Sequence, residues 1–483
     1  MFSRPSAYSE FKIRGALGAL LVAGTTLALV GCAMMPTPAA RADPKPSSAY
    51  AADQSFTAPV ANWPADHWWE EFGDSQLSAL ITEALAGASD MRIAEARFAA
   101  AHAAVGGARA ALLPSLSAGG GVVEVKPSYN SILPSNAVPH GGHEVAQASM
   151  DADWTLDFWG KNRAALHSAE AESQAAQAEA QAARLSVSTG IAAAYADLAR
   201  LYRERDSAVD ARTVRGKTAD LLAERQRQGL ENEGAVARAR NGEDQADAEL
   251  AAIDEQIAIV RNQIAALMGA GPDRGLAIKR PLLPMTKDFG LPSSLPAELL
   301  GRRPDVVAAR FRVEAAAQKI KQAKAGFYPN IDLRALVGFQ SLGLGNLFLS
   351  GSSFGAVGPA FSLPIFDGGR LRAQYRGAEA NYAEAVAFYD GALTQALREV
   401  ADTAASSRAL ATRLDRSRAA ETDALAAWTI ANNRYRGGLA TYLDVLTAED
   451  TLIQSRRTVA DLEARAFTLD IALIRALGGG YRI

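Results

Sequence analysis

The sequence predicts a mixed α and β membrane protein, built from a tandem duplication in which each copy supplies two amphipathic strands and two very long helices. Three observations carry this: residue pairs at two constant offsets, proline-free stretches of some seventy residues, and strand-length runs of strict alternation. Asp90 and Asp305 lie 215 residues apart, as do Pro114 and Pro329, with Ala-Leu-Leu-Pro at 111–114 matching Gly-Phe-Tyr-Pro at 326–329. Farther on the offset is 209: Gly160-Lys161 meets Gly369-Arg370, Arg225 to Leu230 meets Arg434 to Leu439, Val236 meets Val445, and Met268-Gly269 meets Leu477-Gly478. The change of offset falls between Pro114 and Gly160, where the first copy has the longer loop. The expected boundaries are 63–280 for the first repeat and 281–483 for the second.

Ahead of the repeats, Arg4, Lys12 and Arg14 precede an apolar run from Gly15 to Val30 that ends Leu29-Val30-Gly31-Cys32. A basic start and a short apolar stretch make a secretory signal, expected over 1–31. Cys32 is the only cysteine of the chain and stands where a bacterial lipobox needs it, so acylation is expected there. Residues 32–62, rich in Pro, Ala and Ser, are expected to be an extended tether.

Within each copy the order reads helix, two strands, two long helices. Asp74 to Leu113 is Ala-rich and stops at Pro114. Residues 160 to about 228 and 369 to about 436 contain no proline, and at 1.5 Å per residue each spans roughly 100 Å as a helix. Return helices are expected over about 231–268 and 440–477. Gly229 and Gly438 mark the hairpin tips, because glycine ends a helix readily in the left-handed conformation. The strands are expected over about 115–126, 145–158, 330–341 and 355–366. From Ala146 to Phe158 the even positions are apolar, while Gln147, Ser149, Asp151, Asp153, Thr155 and Asp157 fill the odd ones. Ile331, Leu333, Ala335, Val337 and Phe339 alternate likewise with Asp332, Arg334, Leu336, Gly338 and Gln340. Strands of that length with one apolar and one polar face suit a tilted membrane crossing, and four of them cannot close a barrel alone. The sheet is therefore expected to close between subunits.

Composition narrows the function. Of 483 residues 49% are hydrophobic, and 50 basic residues against 53 acidic leave a net charge of −3, which gives no electrostatic footprint for nucleic acid. A single cysteine excludes a Cys-cluster metal site, and the close pair His140 and His143 lies in a Pro/Gly-rich loop that reads as ordinary surface. No phosphate loop, zinc-protease motif or triad pattern is present, so no catalytic residue, metal or cofactor is expected.

Four segments are similar to the outer membrane efflux protein family, the TolC-like channels, in its NodT-type lipoprotein branch: Trp68-Trp69-Glu-Glu-Phe72-Gly-Asp74, Leu300-Gly-Arg302-Arg303-Pro304-Asp305, Phe366-Asp-Gly-Gly369 and Arg434 to Leu446. The resemblance covers about residues 63–480. It implies a homotrimer with a 12-stranded transmembrane β-barrel, four strands per subunit, continued by a long periplasmic α-helical barrel. It implies an outer membrane channel that passively conducts substrates delivered by an inner-membrane pump, of the RND type, through a periplasmic adaptor protein. An exit duct of type I protein secretion and a lipid-anchored coiled-coil spacer are the competing readings.

The resemblance also assigns residues. Asp444 matches a family position that forms a carboxylate ring at an iris-like periplasmic gate, with Tyr435 and Arg436 as candidate partners; the plain alternative is a solvated helix face. Its counterpart in the first copy is Ala235, so the halves differ there. Gly229, Leu230, Gly438 and Leu439 are the expected adaptor-docking tips, against plain helix turns. Asp151, Asp153 and Asp157 are expected to line the barrel's water-filled lumen, in the outer membrane lipid. Replacing Cys32 by Ser is expected to abolish acyl labelling and weaken outer-membrane retention; unchanged labelling would end the lipoprotein reading.

Overall fold

The structure is a computed structural model that describes residues 35–38, 40, 43–46, 49–51, 54–130, 138, 140–282, 290–292 and 301–482. The signal segment and Cys32 lie outside the described residues. Two units emerge. One takes the described residues up to Asp43 together with Ala99–Gln174 and Phe311–Ala387; the other takes Pro44–Phe98, Ala175–Arg310 and Phe388–Ile483.

The first unit holds an antiparallel sheet of β1 (Ser115–Val125), β2 (His143–Thr155), β3 (Asn330–Leu342) and β4 (Ser353–Ser362), paired in that order. The central pairing joins the two copies, running from Val145 opposite Leu342 to Thr155 opposite Asp332. Because facing residues share a side of the sheet, the register aligns apolar rows across all four strands. Leu116, Ala152, Ala335 and Val357 form one row, and Ala118, Met150, Val337 and Gly355 the next. These two rows are uncovered among the described residues: Leu116, Met150, Val337 and Val357 are all exposed.

Two strand ends differ from expectation. β2 stops at Thr155, although alternation continues to Phe158 and the Leu156 N–H still donates to Ile331 O at 2.8 Å. The chain turns here because the Asp157 carboxylate accepts the Asn162 and Arg163 N–H groups at 3.1 and 2.9 Å, starting α3 (Lys161–Arg227). Asp367 does the same after β4, accepting from Gly369 and Leu371 N–H and opening α7 (Arg370–Arg436).

The long helices keep the duplication in their dimensions. α3 and α7 each have 67 residues, and the return helices α4 (Glu233–Leu267) and α8 (Tyr442–Ala476) each have 35. The Ala-rich stretch after Asp74 is not one helix but two, α1 (Ser75–Gly87) and α2 (Ser89–Ala110), with Ala88 extended between them. The break is where the end of α4 arrives: a Cβ on Gly269 would lie 2.6 Å from Gly87 O, and Gly269 has φ +73. The second copy repeats the contact, for a Cβ on Gly478, φ +90, would lie 1.9 Å from Arg302 O. The short α5 (Pro272–Leu276) follows α4, and α6 (Pro304–Ala325) leads into β3.

The core of the second unit forms around a 3-10 turn, Trp68–Phe72. Trp68 and Trp69 meet edge to face at 5.6 Å, and Phe72 lies 4.5 Å from the Phe467 ring. Leu77, Leu80 and Ile81 of α1, Ile191, Tyr195 and Leu198 of α3 and Ile264 of α4 complete the apolar cluster. Asp74 caps α1 and also receives the Tyr195 hydroxyl at 2.8 Å, so a buried acid and a buried phenol satisfy each other. Buried Arg303 binds Asp305 and Glu399 at 2.6 Å each and donates to Ala476 O at the end of α8. From Lys45 on, the expected tether is tied into this unit: the Lys45 backbone N–H donates to Asp390, Arg408 donates to Thr57 O, and Pro59 and Ala61 bridge to Leu291.

Ion pairs tie the first copy's helices to the second's. Arg203 and Arg418 share Glu463, and Arg457 binds Glu249. The most enclosed pair is Arg215 with Glu449 at 3.2 Å, side chains 12% and 5% exposed, where Arg215 also reaches Asp450 and Gly242 O. Burial pushes the Glu449 carboxyl up from its ordinary value and Arg215 draws it back. A raised carboxyl keeps its proton in the folded chain after the unfolded one has lost it. Stability from this group therefore falls as pH rises from the unfolded value through the folded one. Arg215→Met would leave Glu449 buried without its cation. The expected cost is about 3 kcal/mol at neutral pH, shrinking as pH falls and the carboxyl takes a proton. Thermal unfolding at neutral and mildly acidic pH measures it; a loss independent of pH would mean that packing, not charge, is what Arg215 supplies.

Candidate functional site

The polar side of the sheet carries the expected lumen residues Asp151 and Asp153 opposite Leu336 and Arg334. Arg334 lies 3.2 Å from Asp153 and 3.8 Å from Asp332, and Ser149 donates to Asp151 at 3.1 Å. Gln147 faces Gln340 in the same layer. This side of the sheet thus carries a mixed-charge network and not an acidic stripe. Arg334 was visible as an alternating polar residue, but its pairing with Asp153 follows only from the register of β2 on β3. This side is not polar throughout, since Val123, Val145, Leu336 and Phe354 share it. Asp157 does not belong to it. The residue lies beyond β2, and its carboxylate, 10% exposed, is committed to the start of α3 and to Arg163. Burial raises that carboxyl, and the hydrogen bonds from Arg163 and Asn162 outweigh burial to hold it below the ordinary range.

At the other end of the long helices both tips close in the same way. Gly229 N–H donates to Gln226 O and Leu230 N–H to Arg225 O; Gly438 and Leu439 repeat this with Tyr435 O and Arg434 O. The two bonds with a left-handed glycine (φ +75 and +74) form the Schellman ending, which needs no Cβ at that position. Leu222 of α3, Val236 of α4, Tyr435 of α7 and Tyr442 of α8 pack in one buried cluster, so the two hairpins support each other. Outside it, Leu230 is 61% exposed, Leu439 73% and Leu443 61%. Apolar side chains on rigid turns make a contact surface that loses little entropy when covered.

Asp444 lies beside these tips, fully exposed, at the third position of α8. Its carboxylate accepts from the N–H and the hydroxyl of Thr441, both at 2.8 Å, and the bond from the N–H is the Asp444 half of a capping box. Those bonds hold its pKa below the ordinary value, with Arg434 contributing as the nearby cation. Among the described residues no hydrogen bond or ion pair joins Asp444 to Tyr435 or Arg436. Tyr435 points into the cluster instead, under the Arg225 guanidinium at 5.6 Å, and its buried hydroxyl has no hydrogen-bond partner among the described residues. Burial raises the Tyr435 phenol. Arg436 is exposed in the last turn of α7. The difference at Ala235 also has a local explanation: α4 is capped by Asn232, whose side chain accepts from the Ala235 N–H at 2.9 Å and needs no acid three residues on.

No cluster among the described residues could hold a metal ion, and no described helix is long and apolar enough to cross a membrane. The latter says nothing of the sheet, whose open apolar face remains to be accounted for.

The sequence profile of the outer membrane efflux protein family matches residues 80–270 and 295–479. The chain is 37% identical over 372 residues to the fusaric acid resistance protein FusA of Burkholderia cepacia, covering 75% of this chain and 69% of that protein. It is 30% identical over 476 residues to the multidrug resistance outer membrane protein MdtP of Escherichia coli O6:H1, covering 95% and 96%. The outer membrane protein VceC of Vibrio cholerae shares the fold with a TM-score of 0.82 and 45% identity, over 87% of this chain and all of that one. The outer-membrane channel OprN follows at 0.81 and 26%, over 93% and 99%. The duplicated hairpins and the amphipathic sheet are the parts of a TolC-like channel, and this chain belongs to the outer membrane efflux protein family as the outer membrane channel component of an efflux system.

Proposed function

We propose that three copies of the chain close their sheets into one barrel, three times four strands, and that the long helices continue it as a periplasmic duct. The duct passively conducts solutes handed over by an inner-membrane pump of the RND type through a periplasmic adaptor. The observation that carries this is the open sheet: four strands, two unpaired outer edges among the described residues, and an uncovered apolar face. Hydrocarbon has no water to satisfy an open edge, so a sheet facing lipid must find its closing strands on other subunits. The Asp153–Arg334 layer then lines water, and Cys32 adds an acyl anchor.

Val337→Arg sets a cation in the middle of the lipid-facing side, which costs roughly 2–4 kcal/mol near the bilayer midplane. Loss of the assembled protein from outer membranes is expected, while Gln147→Arg on the other side assembles. Equal assembly of both variants would refute the assignment of faces.

At the periplasmic end, the exposed leucines at Gly229-Leu230 and Gly438-Leu439 are the proposed adaptor contacts. Gly438→Trp, which forces a bulky side chain onto a left-handed turn, should abolish drug efflux from cells while leaving the protein in the membrane. Retained efflux would remove the tips from the docking surface.

Asp444 is proposed to act in the gate as one carboxylate of a ring of three, with Tyr435 stiffening the hairpin behind it and Arg436 free to reach a neighbouring subunit. Asp444→Ala should raise single-channel conductance in planar bilayers and speed amide exchange in the first turn of α8. Faster exchange with unchanged conductance would make Asp444 a helix cap and nothing more.

A further inference from the structure

Just past the strand ends, where the long helices begin, the surface of the sheet-bearing unit changes character. Trp159 stacks on Tyr328 with ring centres 4.7 Å apart, and its indole N–H donates to Pro329 O at 2.8 Å, so the ring is held in place. Phe158, next to it in the chain, is exposed, as is Phe366 after the end of β4. Aromatic side chains at this level of a transmembrane strand sit among lipid headgroups.

Next to these rings lies a cavity of about 890 Å³ between the β2–α3 turn, the end of α6 and the start of α7. Leu156, Tyr328 and Leu371 supply apolar wall, and Lys161, Lys319 and Arg370 supply cations. The one carboxylate in the lining is Asp157, already occupied by Arg163 and two backbone N–H groups. Lys319 pairs with Glu172 at 2.9 Å with both side chains nearly half exposed, where such a pair is weak. Arg370 is 4.0 Å from Asp367, whose oxygens serve the start of α7. Lys161 has no ion-pair partner among the described residues. One cation is thus uncompensated and two are only loosely engaged, around a space that is apolar on its other side.

A ligand matching this is anionic at one end, apolar at the other, and reaches the cavity from the bilayer. We propose that the cavity binds an anionic phospholipid of the periplasmic leaflet, its phosphate among Lys161, Lys319 and Arg370 and its glycerol and first acyl carbons against Trp159 and Tyr328. The proposal rests on the outer-membrane location of the sheet and goes beyond the conduction reading, since neither trimer closure nor gating enters it. Juxtamembrane cations favour anionic headgroups over neutral ones, so two suffice for a clear selection.

The test is native mass spectrometry of the purified full-length protein, released from detergent after incubation with equal amounts of phosphatidylglycerol and phosphatidylcholine. Wild type is expected to retain phosphatidylglycerol over phosphatidylcholine by about fivefold or more, as two juxtamembrane cations allow. Lys161→Gln with Arg370→Gln should bring the ratio near one, Lys161→Arg should keep it, and Trp159→Ala should lower total lipid retained. Lys126→Gln, beyond the far end of β1, should leave the ratio as in wild type. Equal retention of the two lipids by wild type, or an unchanged ratio in the double variant, would overturn the site. So would an equal fall with Lys126→Gln, which would mean general charge and no site. Displacement of the bound lipid by inorganic phosphate, with Trp159→Ala without effect, would make this a free-anion site and overturn the lipid assignment.

Discussion

The pairing of β2 with β3 is the contact on which the sheet depends, because it is where the two copies of the repeat meet. Each copy alone yields a two-stranded ribbon, marginal in water and useless in lipid. Eleven residues of β2 facing β3 join the ribbons and bring Met150 opposite Val337 and Asp153 opposite Arg334. Side-chain direction alternates strictly, so a slip of one residue would turn Val337 to the polar side and Arg334 to the apolar one. Apolar matching on one face and ionic pairing on the other therefore select the same register.

From that sheet the chain must change period from two to 3.6 without losing its phase. Asp157 and Asp367 make the change by binding N–H groups that begin α3 and α7. The equal helix lengths that follow let first-copy and second-copy hairpins end together, so that Tyr435, Tyr442, Leu222 and Val236 can share one cluster at the tips. Small residues over much of the length keep the helices close, and arginine–carboxylate pairs such as Arg215–Glu449 add direction where alanines cannot.

The duplication, the helix spans and the hairpin tips could be read from the residues because they depend on local chemistry: absence of proline, glycine at the turn, alternation in the strands. What could not be read depends on where side chains turn in space. Alternation through Phe158 hid the end of β2, since a capping Asp157 looks the same in sequence as a lumenal one. The split between α1 and α2 is imposed by the end of α4 pressing on Gly87, more than 180 residues away. Tyr435 and Arg436 are neighbours of the Asp444 motif in sequence, yet one faces the core and the other solvent. Arg334 became a site residue only through its cross-strand partner. The tether, expected as a plain linker, is held by Asp390 and Arg408, which its own composition does not announce.

The glycine contacts at Gly269 and Gly478 carry a consequence for how such a chain can evolve. Gly87 and Arg302 stand 215 residues apart, and Gly269 and Gly478 stand 209 apart, the two offsets of the duplication. A single ancestral contact, the end of a return helix against a carbonyl of the opening segment, has thus been inherited twice. Gene doubling ordinarily leaves one copy free to drift. Here each half stays bound by its own equivalent carbonyl oxygen, Gly87 O or Arg302 O, and neither is spare.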